Sequence, residues 1–176
     1  MRSLYLVPVL ALAACGGGSE NKAKAGAETL APGQYEVTAV VTQFQQKDEG
    51  TPKINMPKDT RVTRSVCVPA GGVLPPDLFA DEGVNCQDAS ASYARNGVIN
   101  VGLRCTRPDL SGGLAYSVNG SFDAQSFRAQ RQLTTTLSTD GDVVIAAQVE
   151  GRRTGDCTAA PAAAGGNAAG ASGNRQ

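Results

Sequence analysis

No histidine and no tryptophan occur in the 176-residue chain. Without histidine the chain lacks the usual acid–base side chain near neutral pH and the commonest metal ligand. A hydrolase would then need a Ser–Lys pair, paired carboxylates or a bound metal. Lys22, Lys24, Lys47, Lys53 and Lys58 all fall in polar stretches with no buried-serine motif beside them. Excess charge of either sign is missing too, with 16 basic against 16 acidic residues. That balance argues against a nucleic-acid partner or an acidic lipid surface held by bulk charge. Aromatic residues make up only 5% of the chain. No apolar run reaches the roughly 20 residues that a membrane-spanning helix needs.

The longest apolar stretch is Leu4 to Ala14, after Met1-Arg2-Ser3. A charged start, a short apolar segment and small residues before a break make a secretory signal peptide over residues 1–14. The break reads Leu12-Ala13-Ala14-Cys15, which resembles the lipobox of bacterial lipoproteins. That resemblance implies cleavage after Ala14 and a diacylglycerol on Cys15, so the chain is expected to be membrane-anchored through its N-terminal lipid. Gly16 follows rather than Asp, which favours the outer membrane, with the protein facing the periplasm. Residues 15–31, rich in Gly, Ala, Lys and Glu, bury too little to fold and read as a flexible tether. Residues 158–176, mostly Ala, Gly, Asn and Pro, read as a disordered tail. Residues 32–157 remain for one domain.

Four cysteines fall in that domain: Cys67, Cys86, Cys105 and Cys157. An even count in an oxidising compartment reads as two disulfides. Their intervals of 19, 19 and 52 residues contain no Cys-x-x-Cys, so no metal site and no cofactor is expected.

The domain is a succession of period-2 stripes, the pattern of antiparallel strands with one buried face. Tyr35, Val37, Ala39 and Val41 form the first; Val62, Val66 and Val68, interrupted by Arg64, form the second. Ile99, Val101, Leu103 and Cys105 follow, then Leu114, Tyr116, Val118 and Phe122. Phe127, Ala129, Leu133 and Leu137 make the longest stripe, and Val143, Ile145, Ala147 and Val149 the last. Three hairpins are expected. Arg95-Asn96-Gly97 as a three-residue loop pairs Ala94 with Val98 and Tyr93 with Ile99, and puts Ala91 beside Val101. A four-residue loop at 123–126 pairs Phe122 with Phe127 and Tyr116 with Leu133. Thr139-Asp140-Gly141 sets Leu137 opposite Val143 and Leu133 opposite Ala147.

The first register makes Cys86 and Cys105 the natural pair, although it places Gln87 opposite Cys105, so a bulge or a frayed end is required. Cys67 and Cys157 are left to pair, closing a loop worth about 4 kcal/mol on a chain-entropy estimate. Pro69 to Glu82 breaks the alternation. Pro75-Pro76-Asp77-Leu78-Phe79 opens a short helical turn there, which reads either as a lid or plug over one end of the sheet or, preferred, as Leu78 and Phe79 capping the core. The expected fold is all-β: one antiparallel meander of about 6–8 strands, strongly curved or a partial barrel, with one short helical insertion and two disulfides.

Several stretches taken in order resemble the bacterial envelope proteins grouped as domain of unknown function 3617. They are Pro32-Gly33-Gln34-Tyr35-Glu36-Val37-Thr38, Ser65-Val66-Cys67-Val68-Pro69, Asn85-Cys86, Asn96-Gly97 with the strand to Arg104-Cys105, Gly112 to Phe122, and Gly151 to Cys157. Members often carry Trp in an early strand, where Tyr35 stands here. The resemblance implies an exported β-rich domain and brings no function with it.

No catalytic constellation emerges. Asp77, Asp81 and Glu82 lack the spacing of a Ca²⁺ loop and read as solvated surface. Asp140 and Asp142 around Gly141 read as turn chemistry, and Arg152-Arg153 as exposed strand-end charge. The expected function is a non-catalytic binding module for a hydrophobic or lipid-like small molecule in a curved trough. Ala39, Ala91, Ala129 and Ala147 at inward positions either leave room for it or pack the sheet closely. The alternative is a structural or assembly protein that engages an envelope protein through a sheet edge.

Overall fold

Six strands form where the six stripes predict them, and two short ones form before the Asn96-Gly97 turn, where a single hairpin strand is expected. The computed structural model describes residues 27–71, 73–88 and 92–157. The signal segment 1–14, Cys15, the tether to residue 26, Ala91 and the tail 158–176 lie outside the described residues. The strands are β1 Gly33–Gln46, β2 Arg61–Val68, β3 Asn85–Asp88, β4 Tyr93–Arg95, β5 Val98–Thr106, β6 Gly112–Phe122, β7 Ser126–Leu137 and β8 Val143–Gly155. One 3₁₀ turn, Pro76–Leu78, lies between β2 and β3 with Pro76 at its first position.

All pairings are antiparallel, in the order β2-β1-β8-β7-β6-β5-β3, with β4 also paired to β5. The sheet curls into a half-barrel with β2 at one edge and β3 and β4 at the other. Inward residues of every long strand meet in a single core that includes Tyr35, Val37, Ile99, Leu103, Val118, Leu133, Ile145 and Val149. Leu30, which composition gives to the tether, is also buried there. The Ala31 N–H donates to the Ala124 carbonyl at 2.8 Å, so the folded unit starts before residue 32.

The β6–β7 register is the expected one, Phe122 opposite Phe127 and Tyr116 opposite Leu133. The other two hairpins differ. Between β7 and β8 the pairing moves by two residues, setting Leu133 against Ile145 and Arg131 against Ala147. A shift of two keeps every side chain on its face, so the hydrophobic pattern is blind to it. Side chains decide it. The Asp142 carboxylate accepts from the Leu137 N–H at 2.7 Å and the Thr135 hydroxyl at 3.0 Å. The Val143 N–H donates to the Thr135 hydroxyl oxygen at 2.8 Å.

In the first hairpin the loop is Asn96-Gly97 alone, with φ of 53° and 77°, the form of a type I′ turn. Arg95 therefore faces Val98 and Tyr93 faces Asn100, which turns Tyr93 outward to 42% exposure. Asp88 pairs with Leu103 and Tyr93 with Asn100, so four residues on one side span two on the other. That break absorbs the mismatch and sets Cys86 directly opposite Cys105. The register change thus falls between β3 and β4 and does not lie at the cysteine.

Small inward residues sit beside large ones. Ala147 faces Arg131, and Gly151 faces Phe127. A Cβ on Gly151 would run into the Phe127 ring. Gly151→Ala is expected to destabilise by about 2 kcal/mol through overpacking, read as a lower urea midpoint at unchanged slope.

Candidate functional site

Residues 69–84 join the two opposite edges of the half-barrel, β2 and β3, so this connection crosses its mouth as a strap. Its middle drops into the trough: Leu78, Phe79 and Ala80 are all essentially inaccessible. The Phe79 ring meets the Phe127 ring edge-on, with centroids 5.5 Å apart. Leu78 and Phe79 thus cap the core as expected. Ala39, Ala129 and Ala147 are buried, as their inward positions predict.

Both feet of the strap are stapled. Cys67 at the end of β2 is bonded to Cys157 beyond β8, and Cys86 in β3 to Cys105 in β5. Both pairings agree with the sequence reading. Their Cα–Cα separations are 5.4 Å and 4.0 Å; the second joins directly paired positions of β3 and β5, and the first reaches from β2 to the chain beyond β8.

Within the trough the strap is held by charge as well as by packing. Arg131, on the inward face of β7, has 1% exposure and is among the largest fully buried side chains. Its Nη1 donates to the Phe79 carbonyl at 2.9 Å and to Asp81 Oδ1 at 2.8 Å. The Tyr116 hydroxyl donates to Asp81 Oδ2 at 3.0 Å. The Arg131 guanidinium also lies 5.5 Å from the Tyr116 ring centroid. Arg64, the residue that interrupts the β2 stripe, donates Nε to the Asp77 carbonyl at 2.9 Å and Nη2 to the Leu78 carbonyl at 3.1 Å.

Asp81 is therefore a latch between strap and sheet, contrary to its reading as solvated surface; Asp77 and Glu82 do remain exposed. Arg153 also differs from an exposed strand-end charge. Its Nε donates to the Pro32 carbonyl at 2.8 Å and its Nη2 to Asp156 at 2.5 Å. Asp140 goes beyond turn chemistry: its carboxylate accepts from the N–H and hydroxyl of Ser111, 29 residues away, and those bonds hold its carboxyl below the usual range.

Arg131 is the member of this site that the stripes step over. Phe127, Ala129, Leu133 and Leu137 share one phase, and residue 131 falls on it. Strict alternation alone would have marked a buried charge there.

Burial, then the negative charge of Asp81, raises the Tyr116 pKa well above the ordinary 10.0. The folded state therefore keeps this proton while unfolded chains lose it. Stability contributed by Tyr116 is complete below about pH 10 and falls as pH rises toward the folded pKa. The slope is at most about 1.4 kcal/mol per pH unit. Burial raises Tyr35 in the same direction. Tyr116→Phe is expected to flatten the alkaline decline, measured as denaturant stability between about pH 9 and 11.5. An unchanged decline would place its cause elsewhere.

Two clefts flank the strap. One, about 460 Å³, is lined by Arg64, Asp77, Asp81 and Glu82 among others. The other, about 190 Å³, has a mixed polar and apolar lining and runs between Val73, Leu74 and Phe79 of the strap and Asp88, Tyr93, Val101 and Leu103 of the sheet. At its lip Val73 is 67% exposed.

The sequence model of a family described as "Protein of unknown function (DUF3617)" matches residues 30–157. The match starts at the buried Leu30 and ends at Cys157, so it takes in the whole half-barrel and both staples. No curated protein and no solved structure matches the chain.

Proposed function

The chain belongs to this DUF3617 family, whose description carries no activity, and we propose from the geometry that it is a non-catalytic binding module of the bacterial cell envelope for a hydrophobic or lipid-like molecule. The observation that carries this reading is the cover of the trough. A connecting segment closes the apolar concave face, whereas a second sheet or a helix layer would close it permanently. Loops are the elements that open at low free-energy cost. The strap already borders a cleft whose lip exposes the apolar Val73 and the aromatic Tyr93. Displacing Leu78 and Phe79 would extend that cleft into the core, toward the volumes that small-molecule sites use. The staples at both feet let the middle move while keeping the strap on its sheet.

The protein's proposed location, outside the cytoplasm, anchored through a lipid on Cys15 and facing the periplasm from the outer membrane, is supported by the lipobox-like Leu12-Ala13-Ala14-Cys15-Gly16. Native mass spectrometry of the chain exported to an oxidising periplasm tests the ligand. A mass above that of the disulfide-bonded chain, lost on organic extraction, is the expected result. A bare mass under gentle purification would count against a resident hydrophobic ligand.

A second reading, a structural or assembly role through contact with an envelope protein, is favoured by the β3–β4 edge. Tyr93 on β4 and Val98 on β5 are 42% and 46% exposed there. In that case Tyr93→Lys would abolish recovery of a specific partner from envelope extracts and leave stability unchanged.

A further inference from the structure

Charge in the trough does not balance. Arg64 and Arg131 bring two guanidinium groups to the inside of the strap, and among the described residues Asp81 is the carboxylate bonded to either of them, through Arg131. Asp77 offers its backbone carbonyl to Arg64, and its carboxylate belongs to the exposed surface, as does that of Glu82. Water screens those two charges far better than the interior screens the guanidinium pair.

The hydrogen bonds are unbalanced in the same place. A guanidinium has five N–H donors. Arg131 directs both of its bonds from Nη1, and its Nε and Nη2 are shielded from solvent with no partner among the described residues. Nε and Nη2 form the side-on fork with which arginine binds a carboxylate or phosphate through two parallel bonds. Arg64 spends that fork on the strap carbonyls, and its shielded Nη1 is unpartnered. Buried polar groups are nearly always satisfied, so three such nitrogens in one latch call for an acceptor. The approximately 460 Å³ cleft lies against this latch, with Arg64, Asp77, Asp81 and Glu82 in its wall and Arg131 behind Asp81.

We propose that Arg64 and Arg131 together receive an anionic group, a carboxylate or a phosphate, and that this group is the head of the amphiphile whose tail enters beneath the strap. The assignment of the tail rests on the binding-module reading above; the anion site rests on the two arginines. Asp81 keeps Nη1 of Arg131, and the anion takes the side-on edge together with Nη1 of Arg64. Burial, and secondarily the nearby Arg131, lowers the Arg64 pKa, a direction that a bound anion would reverse.

The test is calorimetric titration of the oxidised protein with dodecyl phosphate, dodecanoate, dodecanol and inorganic phosphate, repeated on Arg64→Gln. Arg64 is only partly buried on an edge strand, so this variant is the one expected to fold; circular dichroism and retained disulfides check that it does. The expected result is that the two anionic amphiphiles bind at least about tenfold more tightly than dodecanol, and that Arg64→Gln removes most of the difference. Equal binding of all three amphiphiles, unchanged in the variant, overturns the anion site and leaves the hydrophobic module standing. Inorganic phosphate binding without the amphiphiles, weakened by Arg64→Gln, supports the anion site as a site for a free anion and removes the lipid reading. No binding of any of the four overturns both.

Discussion

Replacing Cys67 and Cys157 together by serine is expected to lower the unfolding free energy by about 4.5 kcal/mol. The bond closes a segment with a sequence separation of 90, and the chain-entropy relation gives about 4.5 kcal/mol for that length. The same relation gives about 3 kcal/mol for Cys86–Cys105, whose separation is 19. For a domain of this size the larger loss would lower the melting temperature by roughly 15 °C. Calorimetric melting of the two double-serine variants checks both the size and the order. The long link also ties β2, an edge strand, to the chain just beyond β8, and β1 lies between them in the sheet. Its removal therefore frees an edge as well as the unfolded chain. If the two variants melt alike, loop entropy is not the controlling quantity, and strap anchorage at either foot matters equally.

Asp81→Ala is expected to cost about 3 kcal/mol, far more than a surface carboxylate normally contributes. Its partner Arg131 has no side-chain exposure, while Asp81 retains 20%. Removing the carboxylate leaves a buried cation with one carbonyl acceptor, and frees the Tyr116 hydroxyl from its only acceptor among the described residues. The sign of the second step distinguishes a latch from plain packing. Adding Arg131→Met to Asp81→Ala is expected to recover part of the loss, because an apolar side chain of similar length needs no counter-charge. Urea unfolding of both single variants and the double variant measures the coupling. Additive losses would mean that the two side chains stabilise the fold independently. The strap should also become more open to protease in Asp81→Ala, since Arg131 then holds only the Phe79 carbonyl.

Much of this structure is legible in the residues because strands with one buried face write their pattern directly. Tyr35, Val37, Ala39 and Val41 alternate in the sequence and all point inward in the structure. The same holds from Leu114 to Val118 and from Val143 to Val149. The Asn96-Gly97 turn is visible as a hairpin, but its length is not. Loops of two and three residues both accept a glycine with positive φ, and the choice between them turned Tyr93 from the inner to the outer face. The β7–β8 register escaped for a different reason. A two-residue slip leaves the hydrophobic faces intact, and the Asp142 and Thr135 hydrogen bonds that settle it are formed only once the strands meet.

The candidate site lies at the far end of that scale. Arg64 showed itself as an interruption of a stripe, and Arg131 held the inward phase of the longest one, yet neither position announces a partner. Asp81 is 50 residues from Arg131 and 35 from Tyr116. Nothing local to residues 75–82 distinguishes a carboxylate that turns inward from its exposed neighbours at 77 and 82.

By itself, then, the sequence determined an antiparallel all-β domain, its strands, its two cystines and the segment that leaves the sheet pattern. Those features depend on alternation, turn residues and cysteine count, each of which is encoded within a few residues or by simple parity. Only the tertiary structure decided that β2 and β3 become opposite edges of a half-barrel, which makes their connection a strap across its mouth. It alone decided that two arginines and one aspartate would meet beneath that strap. Which charges share a low-dielectric space depends on how the sheet curls, and curling is a property of all eight strands together.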